Sequence, residues 1–165
     1  MNILVLNSGS SSLKFKLINP KSEEVLVSGH VDGIGLDTCK FKFNDEEFKQ
    51  KVKDHKEAID LVLSEVDEKD IDAIGHRVVH GGEHYSRAVR INASVEKKIN
   101  SLSDLAPLHN PPNLAGIRAC KKAMPKKKQV AVFDTAFHQS IPEHAYMYGI
   151  PYEYYKKYKI RKYGF

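Results

Sequence analysis

The sequence predicts an α/β domain whose sheet begins antiparallel and then becomes parallel. Three observations predict it: alternating apolar segments open the chain, amphipathic helical segments follow, and a buried strand comes after them. Strands joined by a tight turn pair antiparallel, whereas strands separated by a helix pair parallel. Since the 165 residues contain no repeat, no low-complexity linker and no internal boundary, we expect one domain.

The amino-terminal strands are predicted from apolar runs and turn residues. Residues 3–6 form a short apolar run, and residues 13–18 alternate apolar side chains with lysines. The serine-rich turn 7–12 separates them, which is typical of a hairpin. We expect a third strand over 25–31 and a weaker fourth strand over 40–43.

The later elements are predicted from helical periodicity and from residues that start and stop helices. An aspartate before an apolar face predicts an N-cap at Asp54, and prolines are tolerated at the first positions of a helix. The rest of the chain, from Thr135, is expected to be loop and a short helix. The elements expected in between are a helix over 54–66, a β-rich segment over 71–80, a helix over 94–102, a helix from Asn110 to Pro125, and a strand over 129–133.

The composition excludes several classes of protein. With 41% apolar and 28% charged residues, the chain is typical of an ordinary globular domain. No apolar run approaches the roughly 18 residues of a membrane span, and the opening run stops at Asn7 without a basic flank. Cys39 and Cys120 make neither a disulfide framework nor a four-ligand zinc site. We therefore expect a reducing cytoplasm and no membrane partner.

The net charge of +5 favours anionic partners without choosing among them. Most of the lysine runs are expected to be solvated faces. Residues 152–162 interleave tyrosine and lysine, a pattern that can bind single-stranded nucleic acid. Tyrosines at helical spacing are more typical of a packing face, so we expect no nucleic-acid partner.

The turn from Asn7 to Lys14 could bind an anion. One glycine and four serines offer backbone N–H groups and hydroxyls, and Lys14 adds a positive charge. It is not a Walker-type phosphate loop, because the second glycine and the Lys-Ser/Thr pair are missing. The alternative interpretation is a polar hairpin turn.

Segment 75–84 carries histidines at four-residue spacing and one arginine. On a helix His76, His80 and His84 would suggest a metal site, but adjacent valines and glycines favour a strand and a turn. On a strand Arg77 and Val79 would share a face and could hold a small carboxylate. The alternative is a surface arginine beside core valines.

His109 and Asp134 occupy positions where α/β proteins often bind ligands. His109 precedes the proline-led helix and would lie near its N-terminus, which favours anions. Asp134 follows a buried strand and could hold Mg²⁺ through water or orient a nucleophile. A capping role is the alternative for each.

Together these segments resemble the acetate kinase family. That resemblance implies a ribonuclease H-like domain of the actin, Hsp70 and sugar-kinase superfamily, with a mixed sheet and helices. Propionate and butyrate kinases are relatives of this family. The wording of LAPLHNPPN and AYMYGIP favours its acetate and propionate branch. The matching stretches, in family order, are NSGSSSLKF (7–15), GHRVVHGGE (75–83), LAPLHNPPN (105–113), VFDTAFHQSIP (132–142), AYMYGIPYEYY (145–155) and RKYGF (161–165).

The resemblance also implies a set of site residues. Residues 1–165 would be the amino-terminal domain, with the carboxyl-terminal nucleotide-binding domain absent. The implied roles are metal contacts by Asn7 and Asp134, ATP phosphate contacts by Ser10, Ser12 and Lys14, substrate contacts by Arg77, Val79, Leu108 and Phe165, and catalytic roles for His109 and Asp134.

The implied reaction transfers the γ-phosphoryl group of ATP to acetate, giving acetyl phosphate and ADP with Mg²⁺. Acetate is already ionised at neutral pH, so we expect Asp134 to act through the metal rather than as a base. Because the family's later motifs are missing, we expect little or no turnover by this chain alone. Two alternatives remain: a non-catalytic anion-binding or docking fragment that mates with a separate carboxyl-terminal half, and a kinase for propionate.

Overall fold

The computed structural model describes residues 1–164, which form a mixed sheet of eight strands with helices packed on it. The strands are β1 (Ile3–Ser8), β2 (Ser12–Asn19), β3 (Glu24–Asp32), β4 (Cys39–Phe43), β5 (Glu46–Gln50), β6 (Ala73–Val78), β7 (Val89–Arg90) and β8 (Lys128–Phe133). The α-helices are α1 (His55–Glu65), α2 (Ala93–Ser101), α3 (Asn110–Ala123), α4 (Glu143–Tyr146) and α5 (Tyr152–Tyr158), with 3₁₀ turns at Glu68–Asp70, Ser103–Leu105 and Asp134–Ser140. No helix in this range is long and apolar enough to cross a membrane.

The strand order across the sheet is β5-β4-β3-β2-β1-β6-β8-β7. Strands β1, β6 and β8 are parallel neighbours, and the remaining pairs are antiparallel. The predicted change from antiparallel to parallel pairing is therefore confirmed. Since parallel strands end at the same edge of a sheet, the last residues of β1, β6 and β8 lie close together.

One face of the sheet is covered and the other is open, as the side-chain alternation dictates. In β1, Leu4 and Leu6 are buried beneath α1 and α3, whereas Val5 is 37% exposed. In β8, Phe133 is buried while Val132 is 52% exposed. Within residues 1–164, the helices thus cover one face, and alternate residues of the central strands remain accessible on the other.

The helices begin where local signals place them. Asp54 caps α1 as predicted, since its Oδ1 accepts a hydrogen bond from the Glu57 N–H at 2.9 Å. Prolines occupy the opening turn of α3, also as predicted. Gly116 allows α3 to approach the end of β1, because a Cβ at this position would overlap the Ser8 hydroxyl.

The sheet differs from the prediction at its edges. Strand β5 was not predicted, because its residues are exposed and mostly charged and so lack an apolar pattern. Strand β7 is too short for any pattern to indicate. Strand β6 is shorter than the predicted segment 71–80, because the chain leaves the sheet after Val78.

The carboxyl-terminal segment is anchored to the rest of the domain through Glu83. Tyr155 donates to Glu83 Oε1 at 2.7 Å, and the buried Arg161 donates to the same oxygen at 3.2 Å. Burial alone would raise the pKa of the Glu83 carboxyl, but these hydrogen bonds lower it overall. The predicted short helix is confirmed as α5, but the packing face expected of its tyrosines is limited to Tyr155, because Tyr152 and Tyr154 are exposed.

Stability should depend on pH through His76, a buried residue of β6 whose Nε2 lies 2.7 Å from the Gln129 amide. Burial lowers the pKa of His76 to about 4. Because the unfolded chain takes up this proton near its ordinary pKa of about 6.5, the folded state loses stability as pH falls from about 6.5 to about 4. We expect a loss of about 2–3 kcal/mol between pH 7 and 4.5.

Urea unfolding at the two pH values, compared for the wild type and His76→Gln, measures this contribution. The variant should show the smaller loss, and His144→Gln, on the exposed surface of α4, should behave as the wild type does. Equal losses for the wild type and His76→Gln would contradict the assignment.

Candidate functional site

Polar side chains meet at the edge where the parallel strands end. Asn7 lies near the end of β1, Arg77 lies near the end of β6, and Asp134 follows β8 directly. Because Leu6 and Val78 point into the core, their neighbours Asn7 and Arg77 point to the open face. The sheet thus brings three of the predicted site residues together.

Arg77 forms a side-on ion pair with Asp134. Its Nε donates to Oδ1 and Oδ2 at 3.0 Å each, and its Nη2 donates to Oδ2 at 2.7 Å. Its Nη1 donates to Asn7 Oδ1 at 3.3 Å. Of the five N–H groups of a guanidinium, one on each terminal nitrogen is then left without an acceptor among the described residues. This end of Arg77 can receive the two oxygens of a further carboxylate or phosphate.

The ion pair also affects the charge state of the site. The hydrogen bond with Asp134 raises the pKa of Arg77, while burial acts more weakly in the opposite direction. The Arg77 side chain is 47% exposed and that of Asp134 is 24% exposed. The guanidinium therefore stays charged and accessible.

Asn110 and Asn113, in the first turn of α3, replace sheet hydrogen bonds where β1 and β6 end. Asn113 Oδ1 accepts from the Val79 N–H at 3.0 Å, and its Nδ2 donates to the Ser8 carbonyl at 2.6 Å. Asn110 Oδ1 accepts from the His80 N–H, and its Nδ2 donates to the His80 carbonyl, both at 3.0 Å. Both amides are buried, so they satisfy strand-end groups that water cannot reach.

The start of α3 is thereby fixed against the end of β6, which places the LAPLHNPPN segment at the site edge. His109 is the N-cap residue of α3, so its predicted position beside a helix N-terminus is confirmed. Its N–H donates to the Ala106 carbonyl at 3.0 Å. Leu108, just before it, is 75% exposed.

The prediction that Arg77 and Val79 share a strand face is wrong. β6 ends at Val78, and the Val79 N–H bonds to Asn113 in α3 instead of to a neighbouring strand. Alternation stops there, so Val79 is buried while Arg77 is exposed. Phe165, the last predicted contact of the acyl group, lies outside the described residues.

The serine-rich turn and Lys14 lie beside Asn7. Lys14 is directly opposite Asn7 in the β1–β2 register and is exposed. Ser10 is exposed and Ser12 is half-buried. An open groove of about 570 Å³ runs from Asn7 and Lys14 across β2, β3 and β4, and its lining includes Lys16, His30 and Lys42. This basic lining attracts anions toward the site.

The site can supply part of a magnesium coordination sphere. Among residues 1–164, no three His, Cys, Asp or Glu side chains cluster tightly enough to hold a metal ion by themselves. Mg²⁺, however, keeps several waters and binds through one or two carboxylates plus substrate phosphates. The Asp134 carboxylate and the Asn7 amide oxygen, both in contact with Arg77, are hard oxygen donors that fit such a partial set.

The sequence did not indicate several residues that shape the site. Asn110 and Asn113 appeared only as the opening of a helix, although their spacing of three places both amides in one helical turn. Thr135 was likewise missed, and its Oγ1 accepts from the Gly81 N–H at 2.9 Å, which links the chain after β8 to the chain after β6.

Solved structures of known proteins share this fold. The chain superposes on a propionate kinase from Francisella tularensis with a TM-score of 0.92 and 46% identity, covering 99% of this chain and 44% of that one. It superposes on Porphyromonas gingivalis acetate kinase with a TM-score of 0.92 and 42% identity, covering 99% of this chain and 45% of that one. These neighbours, together with the strand order, define a mixed α/β domain of the actin, Hsp70 and sugar-kinase fold class, as predicted.

Sequence comparison identifies the family. The model of the Acetokinase family matches residues 2–165. The chain is 52% identical to an acetate kinase from Fusobacterium nucleatum and 54% identical to one from Caldicellulosiruptor saccharolyticus. Both alignments cover all of this chain but 45% of the relative, so the chain spans less than half the length of these relatives. The chain belongs to the Acetokinase family.

Removing the Asn113 amide should destabilise the domain strongly. In Asn113→Ala the buried Val79 N–H and Ser8 carbonyl lose their partner, each at a cost of about 1–3 kcal/mol. We therefore expect the free energy of unfolding, measured by urea titration, to fall by about 2–6 kcal/mol. Asn100→Ala, on the exposed surface of α2, should change it by no more than about 0.5 kcal/mol. Similar small effects for both variants would contradict the bridging role.

Proposed function

We propose that residues 1–165 are the amino-terminal domain of a carboxylate kinase that transfers the γ-phosphoryl group of ATP to acetate. This chain would supply the acetate and phosphoryl side of the site. The observation that carries the proposal is the Asn7–Arg77–Asp134 cluster at the ends of the parallel strands, in a chain of the Acetokinase family. The names of its relatives, acetate and propionate kinases, favour the same reaction class.

Arg77 would bind and orient the acceptor carboxylate. Asp134 occupies its Nε side, which leaves N–H groups on Nη1 and Nη2 for the two oxygens of acetate. Acetate is ionised at neutral pH, so one of its oxygens can attack the γ-phosphorus without losing a proton. The new O–P bond forms as the bond to the bridging oxygen of ADP breaks, and the products are acetyl phosphate and ADP.

Asp134 and Asn7 would hold Mg²⁺ together with water and the phosphates of ATP. When bound, that ion neutralises charge on the transferring phosphoryl group. The role of Asp134 toward Arg77 is separate: its carboxylate aligns the guanidinium and balances its charge. Asp134 would therefore serve as a metal ligand and a positioning group rather than as a base.

Lys14, Ser10 and Ser12 would face the phosphate chain from the other side of Asn7. Lys14 is opposite Asn7, at the mouth of the basic groove, where a cation stabilises negative charge. His109, at the N-cap of α3, would donate to the phosphoryl group in transit. In these roles the side chains position the phosphates and neutralise their charge, which are the main contributions of a protein to phosphoryl transfer.

Leu108 and Phe165 would contact the acyl chain, whereas the burial of Val79 argues against the contact predicted for it. Leu108 is exposed beside the start of α3, where an apolar methyl group could cover it. A preference for propionate is the second candidate, since a propionate kinase is 46% identical to this chain, against 52% and 54% for the two acetate kinases. Relative binding of acetate and propionate by the purified chain distinguishes the two.

Acyl phosphate binding tests the role of Arg77 directly. We expect acetyl phosphate, titrated into the isotope-labelled chain, to shift the Arg77 Nε resonance. Arg77→Ala should weaken binding about 10- to 100-fold, because it removes a charged hydrogen-bonding group. Arg118→Ala removes the same charge on α3, beside Glu96, and should bind as the wild type does. Equal affinity of the Arg77 and Arg118 variants would refute the carboxylate-binding role.

Complementation tests the proposal that this is one domain of a larger kinase. The carboxyl-terminal part of the Caldicellulosiruptor enzyme, added to this chain with ATP, acetate and Mg²⁺, should restore acetyl phosphate formation. The matched control pairs that part with the amino-terminal part of the same relative. If the control pair is active and the mixed pair is not, the chain is instead a non-catalytic binding module.

A further inference from the structure

Residues 9–12 of the serine-rich turn, which lie between the paired parts of β1 and β2, are tied to a helix that is distant in sequence. His55, the first residue of α1, donates from Nε2 to the Gly9 carbonyl at 2.7 Å, across 46 residues. Helix α1 is itself fixed in the core by Ala58, Ile59 and Val62. The Gly9 peptide is therefore held by a rigid element and not by the hairpin alone.

Three carbonyl groups of the turn accept hydrogen bonds from the protein. Besides the Gly9 carbonyl on His55, the Ser11 carbonyl accepts from the N–H groups of Gly33 and Ile34 at 2.9 and 2.8 Å. The Ser12 carbonyl accepts from the Gly9 N–H at 2.8 Å. Carbonyl oxygens repel anions, so these hydrogen bonds reduce the negative partial charge that the turn presents to a ligand.

Because the peptide is planar, the hydrogen bond from His55 to the Gly9 carbonyl also sets the direction of the Ser10 N–H. A trans peptide is planar, and its C=O and N–H point in opposite directions. Because His55 holds the Gly9 carbonyl inward, the N–H of the same peptide, which belongs to Ser10, must point away from α1. Among residues 1–164 no group accepts a hydrogen bond from this N–H, and Ser10 is exposed.

The turn is also closed too tightly to adjust freely. The Gly9 N–H donates to the Ser12 carbonyl at 2.8 Å, and a Cβ on Gly9 would lie 2.8 Å from Ser12 Oγ and displace that hydroxyl. Gly9 is thus held from two sides, by its N–H bond to the Ser12 carbonyl and by the hydrogen bond from His55 to its own carbonyl.

We propose that His55 is a positioning residue, which holds the Gly9–Ser10 peptide so that the Ser10 N–H donates to a phosphoryl oxygen. This inference rests on the proposed phosphoryl-binding role of the turn and assigns to His55 a part in it. His55 itself touches no ligand. It acts through one backbone carbonyl, in the way that a preorganised donor is held before an anion arrives.

Amide NMR of the purified chain tests the proposal, with inorganic phosphate as the probe at constant ionic strength. In the wild type, phosphate should shift the Ser10 amide downfield with saturation, and the free turn should be rigid by heteronuclear NOE. In His55→Ala the turn should become mobile, and phosphate should bind about tenfold more weakly, the loss expected for one hydrogen bond to a charged group. His144→Ala, on α4, should match the wild type.

His55→Gln separates positioning from general stability. A glutamine N–H can reach the same carbonyl, so this variant should recover part of the rigidity and part of the phosphate affinity. Equal loss in the Ala and Gln variants, together with shifted core amides such as Gly116, would indicate a merely structural role and overturn the proposal. An unperturbed turn in His55→Ala would overturn it as well.

The outcome is independent of the Arg77 test. If phosphate leaves the Ser10 amide of the wild type unmoved, the donor role fails, whereas acetyl phosphate could still shift the Arg77 Nε resonance. Arg77 could instead bind no acyl phosphate while phosphate still shifts the Ser10 amide and binds more weakly in His55→Ala. In that case the proposed substrate is wrong and the positioning role stands.

Discussion

The domain depends on hydrogen bonds to the backbone groups at the ends of two parallel strands, where the strands stop pairing with each other. A binding edge requires β1 and β6 to stop pairing, and each strand then leaves buried backbone groups that water cannot reach. Asn113 closes this gap, since one amide accepts from Val79 and donates to Ser8. The close approach of α3 at Gly116 is what brings that amide within reach. The same arrangement sets the start of α3, and with it His109, against the site.

Along each central strand, residues that face inward form the core, and residues that face outward form the site. In β6, His76 faces the core, neutral and paired with Gln129, while the next residue, Arg77, faces the open side and contacts Asp134. The same division places Leu6 inward and Asn7 outward in β1. A shift of one residue in register would exchange these roles throughout the strand, so the packing of the core also specifies the site.

Local patterns predicted most of the fold, because those elements depend on neighbours in sequence. The hairpin, the Asp54 cap and the proline-led start of α3 were all evident from spacing and residue type. Strand β5 was not, since its exposed, charged residues carry no burial pattern. The site was predicted as separate residues, but the face assigned to Val79 was wrong. The Val79 N–H bonds to Asn113, which lies 34 residues further along the chain, and no local sequence pattern indicates a hydrogen bond over that distance.

The sequence distances spanned by the site have a kinetic consequence. The bond between Ser8 and Asn113 joins residues 105 apart, and the Arg77–Asp134 pair joins residues 57 apart. Closing such loops reduces chain entropy before the contacts that offset this loss have formed, so long-range pairings form late in folding. The β1–β2 hairpin can therefore form as soon as its strands exist, whereas the polar cluster assembles only when β8 has entered the sheet. An incompletely folded chain would retain the serine-rich turn but lack the carboxylate that aligns Arg77.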